Sequence, residues 1–259
     1  MLHVIANAQK AGGIAAFIDA EQALDPGYAK KLGVNLDELI VSQPDSGEEA
    51  LMACETLARS NALDVIAIDS LGALVPKEEL EGELGAGTPG KQDKLVSHSL
   101  RKLKGILSQS KTTCVFSNQL REEIDETNGN PEATAGGKSL KLHASVRLDI
   151  RRKDAIKDDA GNAIGHHVDV KVVKNKVAPS FAEAGFDMIY QHGINNEGSI
   201  LEVGLAVGVV DQKGAWLQFE GELIGQGKDS AQKALAEKQE LSKRIVEAIL
   251  LKRNGMITS

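Results

Sequence analysis

The chain has 259 residues, 42% of them hydrophobic and 26% charged, enough apolar material for one sizeable core or a core with a small appendage, which excludes disorder, collagen and coiled coil as whole-chain descriptions. Aromatic residues make up only 3%, which argues against a sandwich or barrel and for helices layered on a sheet, an α/β class. Lys and Arg total 30 against 37 Asp and Glu, a net charge of -7, so any contact with nucleic acid must come from local patches.

In chain order, residues 14–19 (IAAFID), 39–42 (LIVS), 64–69 (DVIAID) and 112–117 (TTCVFS) are short apolar runs of buried-strand type. Helical stretches lie between them. Residues 48–60 carry Leu51, Cys54, Leu57 and Ala58 at helical spacing, and residues 93–110 carry Val96, Leu100, Leu103 and Leu107. That alternation predicts a parallel sheet covered on both faces. Beyond Gly136 come strand-like segments at 145–152, 167–174 and 186–190, expected to extend the sheet as antiparallel neighbours. From Gly193 a helical run, a small strand around Trp216 and charged helices near 230–238 and 242–252 predict a compact C-terminal appendage.

Cys54 and Cys114 each sit in an apolar segment with no CxxC or Cys/His spacing, which predicts free buried thiols and a reducing, cytoplasmic compartment. No apolar run approaches the ~18 residues of a membrane span, and residues 1–13 lack the pattern of a secretion signal.

Ligands of open α/β sheets bind outside the carboxyl ends of the strands. There the sequence places Glu21 after IAAFIDA, Asp69 at the close of DVIAID, and Gln119 after TTCVFSN. An Asp ending an apolar strand is the Walker B arrangement, in which the carboxylate holds the water shell of a nucleotide-bound Mg²⁺. A Glu on a neighbouring strand end can orient and deprotonate water, and a Gln can sense a terminal phosphate and relay its loss to a following loop. A single such Asp is more often a turn or cap residue; three together favour the nucleotide reading.

Longer segments carry a family likeness. FIDAEQALDPGYAKKLGV, DVIAIDSLGALVPKEELEGELG, SNQLREE, NGNPEATAGGKSLKLHASVRLDIRR, KVVKNK and GAWLQFEGELIGQGKDSA resemble the bacterial RecA recombinase family across essentially the whole chain. The resemblance implies that Glu21 is the catalytic glutamate, Asp69 the Walker B aspartate and Mg²⁺ partner, and Gln119 the residue coupling the γ-phosphate to the second DNA loop. It places Asp25 and Tyr28 against adenine, and Lys174 and Lys176 on the γ-phosphate of a neighbouring subunit. Their parity with Val168, Val170 and Val172 on one strand face fits cations emerging where an apolar face ends. The DNA loops fall at 81–90 and 120–136, with Arg121, Gly136 and Gly137 in contact positions. Lys94, Ser97, Arg101 and Lys104 form a polar stripe on the helix between the loops. Arg151, Arg152 and Lys171 resemble the secondary DNA site.

The chain also departs from the family. MLHVIANAQKAGG resembles the helix that follows a phosphate loop, so the strand, loop, lysine and Mg²⁺-binding hydroxyl expected ahead of it are absent from these 259 residues. Gly85 to Gln92 satisfies GxxxxGK but follows an acidic stretch rather than a strand, and is expected to be a decoy. The second loop carries Glu122, Glu123, Asp125 and Glu126, Pro89 stands in the first loop, and Asp169 occupies a secondary-site position usually basic, all of which subtract from DNA affinity. His166 and His167 point to opposite strand faces and cannot share a metal.

The combined expectation is an α/β fold with a RecA-type NTPase core, its mixed, mainly parallel sheet flanked by helices and lacking the P-loop strand, at residues 1–193. A small α+β C-terminal domain follows at 194–259. The implied activity is DNA-dependent ATP hydrolysis with Mg²⁺, filament formation on single-stranded DNA, pairing with double-stranded DNA in recombinational repair, and an SOS co-protease role. The alternative is a truncated homologue that modulates a complete recombinase filament. No membrane partner is expected.

Overall fold

The structure, a computed structural model, describes residues 1–82, 90–122, 132–134 and 137–257. Its contacts divide the chain into two compact units, one of residues 1–147 with 174–178 and one of residues 148–173 with 179–259.

The first unit begins with α1 (Leu2–Lys10), β1 (Ala15–Asp19), α2 (Pro26–Lys31), β2 (Ile40–Ser42), α3 (Gly47–Arg59) and β3 (Val65–Asp69). It continues with α4 (Lys77–Leu80), α5 (Lys91–Ser110), β4 (Thr113–Phe116), the paired short strands β5 (Leu120–Glu122) and β6 (Glu132–Thr134), and α6 (Gly137–His143). The sheet runs in the order β2-β1-β3-β4, with every pairing parallel. β1 and β3 lie in level register from Ala15 against Val65 to Asp19 against Asp69, so the two aspartates end their strands side by side.

The alternation of a strand explains why β1 and β3 are apolar without interruption. Ala16, Ile18, Ile66 and Ile68 face α3 and α5, whose Cys54, Ala58, Val96, Leu100 and Leu103 complete that core. Ala15, Phe17, Val65 and Ala67 face the opposite way, against Ile5 of α1 and Ala29 of α2. α3 is fixed at its start by Ser46, whose hydroxyl accepts from the Glu49 amide, while Glu49 accepts from the Asp45 amide. This is close to a capping box. The run at 39–42 reads as a buried strand, but β2 is an edge strand with one neighbour, which leaves Ile40 and Val41 42% and 45% exposed.

β7 (Val146–Lys157), β8 (Ala163–Asn175), β9 (Glu183–Ile189) and β10 (Gly193–Ile194) form a sheet of their own in the order β10-β9-β8-β7. They were expected to extend the first sheet. Instead the first sheet ends on β4 and this one on β7, with no described strand joining the two edges.

The chain then forms α7 (Asn196–Ala206), the antiparallel β11 (Asp211–Lys213), β12 (Trp216–Phe219) and β13 (Glu222–Gln226), α8 (Gly227–Glu237) and α9 (Gln239–Ile257). Leu201, Leu217, Phe219, Leu235, Ile245 and Ile249 pack together as a core separate from those of the parallel sheet.

Candidate functional site

The carboxyl end of β1 is shaped by Asp19, a carboxylate only 1% exposed. It accepts hydrogen bonds from the amides of Ala23 and Leu24 at 3.1 Å each and from the Gln43 side chain at 3.1 Å. A buried charge is tolerable only with such partners. Together with Gln22 at a positive φ of 53°, these bonds fold the chain back sharply and leave Glu21 projecting at the turn. The Glu21 amide donates to the Asp69 carbonyl at 3.1 Å, tying the turn to the end of β3.

The three residues singled out at strand ends meet through this turn. Glu21 Oε1 accepts from the Ser70 hydroxyl at 2.5 Å and lies 3.4 Å from the donating Gln119 amide. Asp69 Oδ1 accepts from the Ser117 hydroxyl at 2.5 Å. The Ser117 amide in turn donates to the Ile68 carbonyl, and Leu71 donates to the Ser117 carbonyl, so β4 and the segment after β3 are locked together. The peptide between Asp69 and Ser70 is cis. Sequence reasoning missed Asp19, Ser70 and Ser117. The signal for all three was their place in the last two positions of an apolar run or immediately after it.

Glu21 therefore keeps one oxygen, Oε2, clear of hydrogen bonds among the described residues, and so does Asp69 with Oδ2. A free carboxylate oxygen of this kind can accept a proton from water or a hydrogen bond from a metal's water shell. Gln119 directly precedes β5 of the antiparallel β5–β6 ribbon.

The remaining expected residues fall in several places. Asp25 caps α2 by accepting from the Tyr28 amide at 3.0 Å, which holds Asp25 and Tyr28 at one helix start. Lys174 donates to the carbonyls of Lys141 and Leu142 at 2.5 and 3.0 Å, and Lys176 to that of Leu142 at 3.3 Å, so both cations sit on the carbonyl end of α6. Partial desolvation, with Lys176 and Arg147 nearby, lowers the Lys174 pKa from its usual value. On α5, Lys94, Arg101 and Lys104 are exposed, while Ser97 accepts from the Ser139 hydroxyl at 2.8 Å. Gly137 opens α6 and Arg121 lies on β5; Gly136 and most of both loops lie outside the described residues.

In the GxxxxGK segment, Lys91 pairs with Glu78 at 2.6 Å, and the Gln92 amide donates to the carbonyls of Leu71, Gly72 and Leu74. The described element before it is the helix α4 rather than a strand, so the lysine and glutamine are committed to structure.

Arg151 and Lys171 line one cleft on the β7–β9 sheet, whereas Arg152, one residue out of phase, bonds the Tyr190 hydroxyl on the other face. Arg151 pairs with Asp149 at 2.9 Å and Lys171 with Glu183 at 2.6 Å, and the latter contact raises the Lys171 pKa. His166 and His167 do part as expected: His166 packs its ring near Tyr190, 5.7 Å between centroids, and His167 lies against Asp187. No cluster of three metal-ligating side chains exists among the described residues. Cys54 and Cys114 are free thiols with sulfurs 3.7 Å apart, and that contact and burial push the Cys114 thiol well above its usual pKa. No described helix is long and apolar enough to cross a membrane.

Comparison with known proteins gives the family. Residues 1–195 match the RecA N-terminal domain model and residues 198–254 the RecA C-terminal domain model. Protein RecA of Amycolatopsis mediterranei is 53% identical over 248 residues, covering 96% of this chain and 71% of that protein. Protein RecA of Mycolicibacterium smegmatis is 54% identical over the same length, with the same coverage. Among solved structures, a crystal structure of the RadB recombinase matches with a TM-score of 0.50 at 15% identity, covering 71% of this chain and 79% of that one. That likeness supports the fold.

Proposed function

Because the chain belongs to the RecA family, we propose that it acts as a RecA-like recombinase, an ATP-driven protein that assembles on single-stranded DNA and pairs it with homologous duplex. The observation that carries the reading is the meeting of Glu21, Asp69 and Gln119, from three strands, at one end of the parallel sheet. A modulator of another recombinase is not favoured.

In this reading Glu21 orients and deprotonates the attacking water, with Ser70 and Gln119 fixing its carboxylate. The residues fit Mg²⁺-ATP in a limited way: Asp69 offers one carboxylate, oriented by Ser117, which suits an ion that keeps most of its waters and is held chiefly by phosphates. Bound Mg²⁺ would supply charge neutralisation on the phosphates. Asp25 and Tyr28 are assigned to adenine, and Lys174 and Lys176 to the γ-phosphate of an adjacent subunit in a filament. Their hold on the α6 carbonyls would exchange for phosphate oxygens on assembly. Lys94, Ser97, Arg101, Arg121, Gly136 and Gly137 are assigned to single-stranded DNA. Residues 194–259 are assigned to a separate C-terminal domain.

The 259 residues contain no GxxxxGK followed by Ser or Thr, so the direct test supplies one. A segment carrying the phosphate loop of a RecA relative, fused ahead of Met1, is expected to give ATP hydrolysis stimulated by single-stranded DNA. A soluble, folded fusion with no stimulated turnover would count against the proposal.

A further inference from the structure

The cleft on the β7–β9 sheet is charged, yet every fixed cation in it already holds a carboxylate. Arg151 pairs with Asp149 at 2.9 Å, Lys153 with Asp169 at 3.4 Å, and Lys171 with Glu183 at 2.6 Å. A phosphate arriving here meets an internal anion at each contact. His167 is the group on this face whose charge changes near neutrality. It sits directly across from Asp187 in the β8–β9 register, with Nδ1 3.0 Å from that carboxylate and Nε2 3.5 Å from Asp169. Gly185 makes room for the ring, since a Cβ there would come within 2.6 Å of Nε2.

Among the described residues, the charged groups bearing on His167 come from its own strand and three neighbouring elements. Asp169 lies on β8, Asp187 on β9, Glu202 on α7, and Lys153 on β7 acts through Asp169. A neutral imidazole has one N–H and can serve one of the two aspartates; the imidazolium has two and serves both. Above its midpoint, His167 therefore leaves Asp169 to Lys153. Below it, His167 serves Asp169 Oδ1 as well as Asp187, and Lys153, on Oδ2, then shares Asp169 with a second cation and is held less strongly. Leaving Glu202 aside, Asp149, Asp169, Glu183 and Asp187 face three fixed cations in the first state and those three plus His167 in the second.

We infer that His167 is a proton-operated gate on this face, and that protonation opens the Arg151–Lys153–Lys171 cleft to the phosphodiester backbone of nucleic acid. The identity of the polyanion rests on the recombinase reading; the gate rests on the geometry. The Asp187 hydrogen bond, against some desolvation, raises the His167 pKa above its usual 6.5, so the gate works close to neutral pH.

The test follows binding of a fluorescent duplex oligonucleotide to the full chain at constant ionic strength, from about pH 8 to about pH 6, with the histidine titration read by NMR. Binding is expected to tighten about three- to tenfold on acidification, as one unit of charge is added beside the phosphates. His167→Gln is expected to flatten that profile, and Asp187→Asn to move the His167 midpoint down and the binding transition with it. An unchanged pH profile in H167Q would overturn the gate and leave the recombinase reading intact. If Lys171→Glu and Arg151→Glu leave duplex binding unaltered at both ends of the range, the cleft is not a polyanion site and the gate falls with it. DNA-stimulated ATP hydrolysis by the fusion described above is read separately, so the two failures are distinguishable.

Discussion

The strand ends of the parallel sheet and the cleft of the β7–β9 sheet are both built from charged side chains, and they use charge in opposite ways. At the strand ends, anions are concentrated and held by neutral donors. Asp19 is satisfied by two backbone amides and an amide side chain, Glu21 by a hydroxyl and an amide, and Asp69 by a hydroxyl. No Lys, Arg or His side chain pairs with them among the described residues, and only the Met1 ammonium acts on Asp69, without a close ion pair. In the cleft, each cation is cancelled by a carboxylate on its own or a neighbouring strand. The first arrangement is poised for chemistry and the second is held in reserve, which is why a single proton matters in the second.

The comparison breaks most sharply at Glu21. Glu21→Gln keeps the shape and the Ser70 and Gln119 neighbours but removes the proposed base. In a fusion that hydrolyses ATP, turnover is expected to fall about 10²- to 10⁴-fold, with thermal stability nearly unchanged because the side chain is exposed. Asp19→Ala attacks the same site from beneath. It strands the Ala23 and Leu24 amides and the Gln43 side chain, and about 2–4 kcal/mol of stability is expected to be lost in urea unfolding. A loss near zero would mean that the β1 turn is held by something other than Asp19.

The parallel sheet was legible because its two central strands, β1 and β3, are buried on both faces, and DVIAID or IAAFID can hardly be anything else. Glu21, Asp69 and Gln119 were legible for the same reason, as polar residues ending apolar runs. What joins them was not. Ser70 and Ser117 are ordinary turn residues in sequence, and only the level register of β1 and β3 with the locking of β4 gives them partners. The paired lattice of the β7–β9 face was equally hidden, because Lys171 against Glu183 and His167 against Asp187 depend on a cross-strand register that spacing along one strand does not reveal. Arg151, Arg152 and Lys171 were named together for the secondary DNA site, and the pleat puts Arg151 and Lys171 on one face and Arg152 on the other.

Salt separates the two regions further. Replacing Lys171 with Gln removes one proposed phosphate partner and leaves Glu183 without its cation. The slope of log affinity for duplex DNA against log salt is expected to become shallower by about one. The same substitution should not alter ATP turnover in a fusion, because the strand-end site shares none of these groups. An equal effect on both activities would erase the distinction between the two regions.

The smallest effect expected is on stability, and its sign follows from linkage. His167 titrates at a higher pH folded than its unfolded value near 6.5, because Asp187 and Asp169 favour the imidazolium. The folded state therefore binds the proton more tightly, and the stabilisation is fully present below the unfolded value and is lost as pH rises through the folded one. The ring and both aspartates are more than a third exposed, so solvent screening keeps the contribution small. Wild type should exceed H167Q in melting temperature by about one or two degrees near pH 6, and by less near pH 8. A gap that widens towards pH 8 would mean that the neutral ring, through its packing over Gly185, is the favoured form. In that case the two aspartates would be bystanders rather than the partners that set the charge of this face.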